Sequence, residues 1–175
     1  MPQIHRAVRN AVRDQLKDVN NGFNKKLADI ASTYDIADQV FTINFDNPGE
    51  NFYYGQISEE VLDALEGPAY PLMTLFSIAS GNQNFQKFTT FSGTVEIGIQ
   101  VFVSWAEGRL IPNFENLGDA VIDVMYDLFN ASALQSWAVP VAYNGEISCA
   151  KGPLVLAGDN WRQLLIFRLV FQVDA

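Results

Sequence analysis

The side chains that most often catalyse reactions are scarce in this chain of 175 residues. It contains one histidine, His5, and one cysteine, Cys149. A catalytic serine or cysteine needs a neighbouring base, and a histidine base could only be His5. His5 lies near the start of the chain among arginines, which is an unsuitable setting for such a base. The sequence therefore predicts no nucleophile–histidine pair.

Sites for metals, cofactors and nucleotides are not indicated either. One histidine and one cysteine cannot supply the ligand sets of the usual zinc or iron centres. The sequence has neither a GxxxxGK[ST] loop nor a GxGxxG motif between a strand and a helix. Its 20 carboxylates allow many possible acid–base pairs, but no spacing distinguishes one of them. We therefore expect no enzymatic activity, no cofactor and no metal.

The composition indicates a folded protein with a hydrophobic core. About half of the residues are hydrophobic, and 13 are phenylalanine. No apolar run approaches the ~20 residues that a membrane helix needs, and no apolar segment typical of a secretory signal follows the basic N-terminus. A single cysteine fits a reducing compartment, and we expect Cys149 to be a small buried side chain. The length fits one domain, residues 1–175.

Charge is distributed unevenly along the chain. Residues 1–26 hold six of the 11 basic residues and two acidic ones, for a net charge of +4. The other 149 residues hold five basic and 18 acidic residues, for a net charge of −13. A basic segment on an acidic body can bind that body, a neighbouring copy or nucleic acid. The acidic body argues against general binding of DNA by the whole surface.

The longest strand pattern lies in the middle of the chain, and the other elements must be arranged around it. β-branched residues occupy every second position at Val95, Ile97, Ile99, Val101 and Val103. The side chains between them are Glu96, Gly98, Gln100 and Phe102. This alternation predicts a long strand with one buried and one mostly polar face. We expect the strand to be central in the sheet.

Two long helices are predicted to present the charged side chains. Residues 3–31 repeat apolar side chains, Val19 among them, at three- and four-residue steps, with a weak point at Asn20-Asn21-Gly22. The first helix carries a basic stripe of Arg6, Arg9, Arg13 and Lys17. Residues 113–131 form the second helix, which carries an acidic stripe of Asp119, Asp123 and Asp127.

Each stripe has two interpretations. Both could be solvated faces, and like charges at four-residue spacing repel each other slightly. Alternatively, the basic stripe contacts an acidic partner surface or DNA phosphates. The acidic stripe would then meet a basic stripe, either on the first helix or on a neighbouring copy. These seven charged residues are our candidate interface.

Two hairpins and a final strand complete the predicted elements. Residues 40–45 and 52–54 are expected to pair across a turn at Asp46-Asn47-Pro48-Gly49. A short helix follows, capped by Ser58, and residues 72–79 form a strand. The sequence places a second hairpin at Asn144-Gly145, a loop at 152–161 and a final strand at 164–173. Its lone charge, Arg168, is expected to pair with Glu96, and Pro140 indicates an edge strand.

The order of the elements along the chain is itself informative. A basic amphipathic helix precedes a proline-led strand (PLMTLFSIAS), the long alternating strand (GTVEIGIQVFVSW) and a second amphipathic helix (NLGDAVIDVMYDLF). A hairpin and a final apolar strand (LLIFRLVFQVDA) follow. This order resembles that of the tail terminator proteins of tailed bacteriophages, also called tail completion or head–tail joining proteins. The resemblance spans residues 4–174, with 34–67 as an insertion or an elaborated hairpin and short helix.

The resemblance implies both a fold and a role. The fold would be α+β, with a largely antiparallel sheet flanked by the two long amphipathic helices in a single domain. The role would be that of a structural protein, made in the host cytoplasm and built into the virion at the tail–neck junction. It would form a hexameric ring that ends growth of the tail tube and joins it to the head connector. DNA would pass through the ring without sequence-specific binding, and no membrane would be involved.

Three other readings remain open at this point. The chain could be another neck or tube component of a virion, although two long helices argue against a tube subunit. It could be a small-ligand or peptide-binding α+β module with an apolar pocket between sheet and helix. It could also be a hydrolase whose site the sequence does not reveal.

Overall fold

A computed structural model of the chain describes four helices and five strands. The residues that it describes are 4–33, 42–47, 50–65, 69–82, 92–106, 114–130 and 141–174. The helices are α1 (Ile4–Leu16), α2 (Phe23–Thr33), α3 (Glu59–Ala64) and α4 (Phe114–Asn130). The strands are β1 (Phe52–Tyr54), β2 (Leu72–Asn82), β3 (Ser92–Ala106), β4 (Val141–Ala157) and β5 (Asn160–Asp174). The α+β class is confirmed.

The strands form one mixed sheet in the order β1-β2-β3-β5-β4. Strand β1 pairs in parallel with β2, and the other three pairings are antiparallel. Strand β3 therefore lies at the centre, as its alternation predicted. Strand β4 lies at an edge, as Pro140 indicated, although Pro140 itself lies outside the described residues.

One face of the sheet is covered by the helices and carries the main core. The five β-branched residues of β3 on this face are at most 1% exposed. Each is opposed in the register by a residue of β5, for example Ile97 by Leu169 and Ile99 by Phe167. Helix α1 contributes Val8 and Val12, and α4 contributes its own apolar stripe of Leu117, Ala120, Val121 and Val124. This packing fixes which sides of α1 and α4 remain accessible.

The predicted first long helix is in fact two helices. Helix α1 ends at Leu16 and α2 begins at Phe23, so the break falls at the weak point around Gly22. The Asp18 carboxylate accepts hydrogen bonds from the backbone N–H groups of Asn20 and Asn21, which satisfies donors at the turn. Val19 was expected on the apolar stripe, but it lies in the turn and is 84% exposed. That part of the prediction is wrong.

The second face of β3 is less polar and less exposed than predicted. Phe102 and Gln100 are 0% and 2% exposed, because the segment before β2 covers them. Gln100 Oε1 accepts hydrogen bonds from Thr74 Oγ1 (2.9 Å) and Ile57 N (3.0 Å), and its Nε2 donates to Ile57 O (3.2 Å). Ile57, Leu62, Leu72 and Phe102 form a second hydrophobic cluster. A structural role of the described residues among 34–67 is therefore to cover this face.

The first predicted hairpin is wrong. Residues 42–44 are not in a strand, and β1 pairs instead with β2, with Phe52 opposite Met73. The Asn51 side chain makes the contacts that a strand partner would have made, because its amide binds Thr42 O (2.8 Å) and Asn44 N (2.8 Å). Residues 40, 41, 48 and 49 of the predicted hairpin lie outside the described residues. Helix α3 begins after Ser58 as predicted, with Val61 N donating to Ser58 Oγ.

The second predicted hairpin is also wrong, and the loop predicted at 152–161 is too long, because only residues 158 and 159 of it lie outside the strands. Strand β4 runs through Asn144-Gly145, where the register only shifts between Tyr143 and Ile147. The chain turns instead at Gly158-Asp159, with Ala157 paired to Asn160. Gly158 has a φ of +63°, which a residue without a Cβ adopts without strain. Residues 138–140 of the prediction lie outside the described residues.

Candidate subunit interface

Helix α1 holds the basic stripe beside the edge strand β1. Its apolar residues Val8, Val12 and Leu16 are fully buried against the sheet. Because the basic residues follow the same three- and four-residue spacing, they form a parallel row on the neighbouring side of the helix. Arg9 and Arg13 contact Tyr54 of β1, and Lys17 lies near Asp46.

Two arginines of the stripe hold Tyr54. The Arg9 guanidinium lies over the Tyr54 ring, with its Cζ 4.2 Å from the ring centroid. Arg13 Nη1 donates a hydrogen bond of 2.9 Å to the Tyr54 hydroxyl, and Arg13 also pairs with Asp14 at 2.7 Å. A cation over an aromatic face is attracted by the ring quadrupole. Arg9 and Arg13 therefore stabilise the position of β1.

The two ends of the basic stripe differ. Lys17 Nζ lies 3.5 Å from Asp46 Oδ1, and both side chains are well exposed, so the pair contributes little. Arg6 is exposed and has no hydrogen bond or ion pair within the described parts of the chain. Arg6 thus differs from Arg9, Arg13 and Lys17, which contact Tyr54 or Asp46 in the described part of the chain.

Helix α4 places the acidic stripe on the side away from the sheet. Asp127 Oδ2 forms an ion pair with Lys26 Nζ of α2, at a distance of 2.7 Å. The hydrogen bond to Asp127 raises the pKa of Lys26, and the charge of Asp123 adds to this effect. Asp119 and Asp123 are exposed. The stripe is therefore neutralised at its C-terminal end and remains anionic along the rest.

Two exposed apolar side chains, which were not among the predicted interface residues, lie between these aspartates. Ile122 is 40% exposed and Tyr126 is 65% exposed. They follow Asp119 at three- and seven-residue steps, so they share the outer face of α4 with it. The signal was present in the sequence, because neither residue belongs to the buried stripe of α4.

The residues considered for catalysis lie on different elements. His5 is an exposed residue of α1, and this helix contacts β2 and β3. Cys149 lies on β4, the edge strand at the other end of the sheet from β1. Cys149 is exposed, so the expectation of a buried cysteine is wrong, and the reason is its place on an edge strand. Among the described residues, no group of three or more histidines, cysteines and carboxylates could hold a metal ion.

One buried charge has a structural explanation. Arg162 of β5 is 4% exposed and binds Glu59 and Asp63 of α3, the latter at 2.9 Å. Burial opposes its charge, yet hydrogen bonds to Tyr70 and Asp63 and the charge of Glu59 hold its pKa above the ordinary value. Arg162 therefore attaches α3 to the sheet.

The predicted pair between Arg168 and Glu96 is confirmed. Arg168 donates two hydrogen bonds to the Glu96 carboxylate, of 2.8 and 2.6 Å, across strands β5 and β3. This contact lowers the pKa of Glu96. The pair adjoins an open depression of about 270 Å³ that is lined by Glu146, Ile147, Ser148, Arg168 and Val170.

None of the helices in the described ranges is long and apolar enough to span a membrane.

Comparisons with known proteins find similarity among solved structures only. No family profile matches the chain, and no curated protein matches it. A chain from the solved structure titled "Virion of native gene transfer agent (GTA) particle" is similar with a TM-score of 0.38 and 16% identity. The match covers 96% of this chain and 95% of that chain. This TM-score is too low to establish a shared fold or function.

Proposed function

We propose that this chain is a structural protein of a phage-like virion that forms a ring at the end of the tail tube. The ring ends tube growth and joins the tail to the head connector. The proposal is supported by the element order described above and by the α+β fold. The observation that carries it is the separation of charge, with a basic stripe beside β1 and an acidic stripe on α4.

Charge separated in this way favours head-to-tail association. A closed ring requires heterologous contacts, in which one patch of each subunit meets a different patch of the next. Helix α1 contacts β2, β3 and α4, whereas α4 contacts α1, α2 and the edge strand β4. The two stripes are therefore carried by neighbouring helices, and no ion pair joins them among the described residues. Complementary charge would orient neighbouring subunits and prevent like faces from meeting.

The remaining features of the proposal follow from the resemblance. The ring is a hexamer, one rim binds the tube protein and the other binds the head connector. DNA passes through the centre without sequence-specific contacts. The protein needs no cofactor or catalytic residue, and it is assembled into the virion after synthesis in the host cytoplasm.

Two alternative functions are weighed against this one. A binding module needs an accessible apolar pocket between sheet and helices, but the described helix–sheet interface is filled by side chains such as Ile97, Val121 and Phe167 that are 0% exposed. Another neck component would share the fold and the charge pattern. It would differ in where the protein sits in the particle.

The test is a stop codon in the gene, in the genome that encodes the chain. The proposal predicts tails of uncontrolled length that lack attached heads, seen by electron microscopy, and rescue by the gene supplied in trans. Tails of normal length with heads attached would overturn it. Normal tail lengths without heads would indicate another neck component.

A further inference from the structure

The outer face of α4 has the composition of a protein contact surface. We call Asp119, Ile122, Asp123 and Tyr126 the α4 face. Its centre is apolar, because Ile122 and Tyr126 expose 40% and 65% of their surface. Its two aspartates are exposed beside them. Interfaces typically combine an aromatic anchor with a polar rim, and tyrosine is enriched among the residues that dominate binding.

The complementary surface is present on the same chain. The α4 face is anionic, and the chain's main cationic row is on α1, where Arg6 is exposed at one end. Arginine pairs with carboxylates and stacks on aromatic rings, so Arg6 suits both Asp119 and Tyr126. A basic side chain with these properties is what an acidic face with an exposed tyrosine would bind.

Helices α1 and α4 contact each other in one subunit, but the described contacts of their charged stripes are with other elements. Arg9 and Arg13 contact Tyr54 beside β1, and the acidic stripe pairs with Lys26 of α2 through Asp127. No ion pair joins the basic stripe to the acidic stripe in the parts of the chain that the structure describes. A second copy of the chain can supply the missing partner, and each subunit then donates one surface and accepts the other.

We infer that the α4 face of one subunit docks on the exposed end of α1, at Arg6, of a second copy. Tyr126 and Ile122 form the centre of the contact, and Asp119 and Asp123 pair with the basic residue. The inference rests on the proposed ring, for which it names the lateral contact. The contact is heterologous, so each subunit uses its α4 face toward one neighbour and Arg6 toward the other. A closed ring leaves neither surface unpaired, whereas an open chain leaves one of each at its ends.

The experiment is a charge swap on the full chain. Asp119→Lys and Arg6→Glu each place like charges against each other, and each should weaken self-association about tenfold. The double variant restores opposite charges and should recover most of the lost affinity. Association is measured by light scattering and sedimentation at low ionic strength, after circular dichroism shows native folding. If Arg6→Glu does not fold, Arg6→Asp, which makes the same charge reversal, is used in its place.

A matched control separates this contact from general electrostatics. Asp159→Lys makes the same charge change at the exposed turn between β4 and β5, and it should leave association within about twofold. For the apolar centre, Tyr126→Ala should weaken association about 30-fold. Val61→Ala shortens another exposed apolar side chain, on α3, and should have no effect.

The outcomes distinguish the inference from the proposed function. If the wild type forms rings and both single variants form them equally well, the inference is overturned, whereas the proposal of a ring is kept. The same conclusion follows if the double variant does not recover the affinity that the single variants lose. A wild-type chain that stays monomeric at millimolar concentration and low salt would also overturn it. The role in the virion is decided separately, by the tail lengths of the particles that lack the gene.

Discussion

Lys26 Nζ lies 2.7 Å from Asp127 Oδ2 and joins α2 to the C-terminal part of α4. This ion pair neutralises one end of the acidic stripe inside the subunit. Asp119 and Asp123, closer to the start of α4, remain exposed. The pair therefore separates the part of the stripe that stabilises the fold from the part that is available to a partner.

Because of this ion pair, we expect the free energy of unfolding to fall at alkaline pH. The hydrogen bond to Asp127 raises the pKa of Lys26 in the folded state. A raised pKa means that the stabilisation is fully present below the unfolded value of about 10.4 and is lost as pH rises through the folded value. In Lys26→Met, the free energy of unfolding should fall less steeply with pH than in the wild type. The difference should be about 0.5 kcal/mol, because the pair is partly exposed. Urea unfolding from pH 9 to 12 measures it.

The control for this prediction is the double variant. If Asp127 is the partner, Asp127→Asn should also flatten the alkaline loss, and adding Lys26→Met should change nothing further. An alkaline curve that Asp127→Asn leaves as steep as in the wild type would show that another group holds Lys26.

Gln100 is predicted to control how the segment before β2 is held on the sheet. Its side chain satisfies both the N–H and the C=O of Ile57. Gln100→Ala leaves these buried groups unpaired, so the free energy of unfolding should fall by about 2–3 kcal/mol. Hydrogen exchange at Ile57 and along α3 should accelerate more than exchange in β5. Uniform acceleration across all strands would contradict this local role.

The contact between Gly98 and Phe76 predicts opposite effects for two glycine substitutions. A Cβ at Gly98 would lie 2.5 Å from Phe76 Cζ, so Gly98→Ala should destabilise the protein by about 1–3 kcal/mol. Gly118 lies inside α4 with nothing within 4 Å of its Cβ position, so Gly118→Ala should stabilise it by about 1 kcal/mol. Thermal unfolding gives both values.

A second substitution checks the cause. Phe76→Leu removes the ring, so the cost of Gly98→Ala should be smaller in that background. Equal costs in the two backgrounds would mean that the ring is not what the added methyl group meets.

The basic stripe is predicted to have two functions, which two alanine variants separate. Arg9→Ala removes the cation over Tyr54 and should lower stability by about 0.5–1 kcal/mol. Arg6→Ala removes the same charge where the described residues offer no internal contact, so stability should change by less than about 0.5 kcal/mol while self-association weakens. Urea unfolding at high salt and light scattering at low salt measure the two effects. Equal stability losses in both variants would contradict the division.

Local patterns predicted the central strand and the helix faces, because alternation and helical spacing describe how one element meets a core. Val95–Val103 and the buried stripe of α4 were recognised for this reason. The strand pairings at the two expected hairpins were not predicted, although the break near Gly22 was. Asn144-Gly145 has the stronger local turn preference, but the pairing of β4 with β5 on both sides of it outweighs this preference, and the turn lies at Gly158.

The sequence predicted where the charged residues lie on the helices but not which of them contact each other. Spacing identified the charged residues on α1 and α4, but it could not show which charges are already paired within the subunit. Tyr54 is distant in sequence from Arg9 and Arg13, so their contact depends on how β1 pairs with β2. The exposed pair Ile122 and Tyr126 was missed because only the charged residues outside the apolar face of α4 were considered as contacts.

The central claim is that this subunit associates head to tail into a closed ring. Its most direct test is the mass of the purified chain by light scattering, with negative-stain images of the same sample. We predict rings with the mass of six 19.5 kDa chains at low ionic strength, which dissociate as salt is raised. A monomer at every concentration and ionic strength, without rings in the images, would contradict the claim.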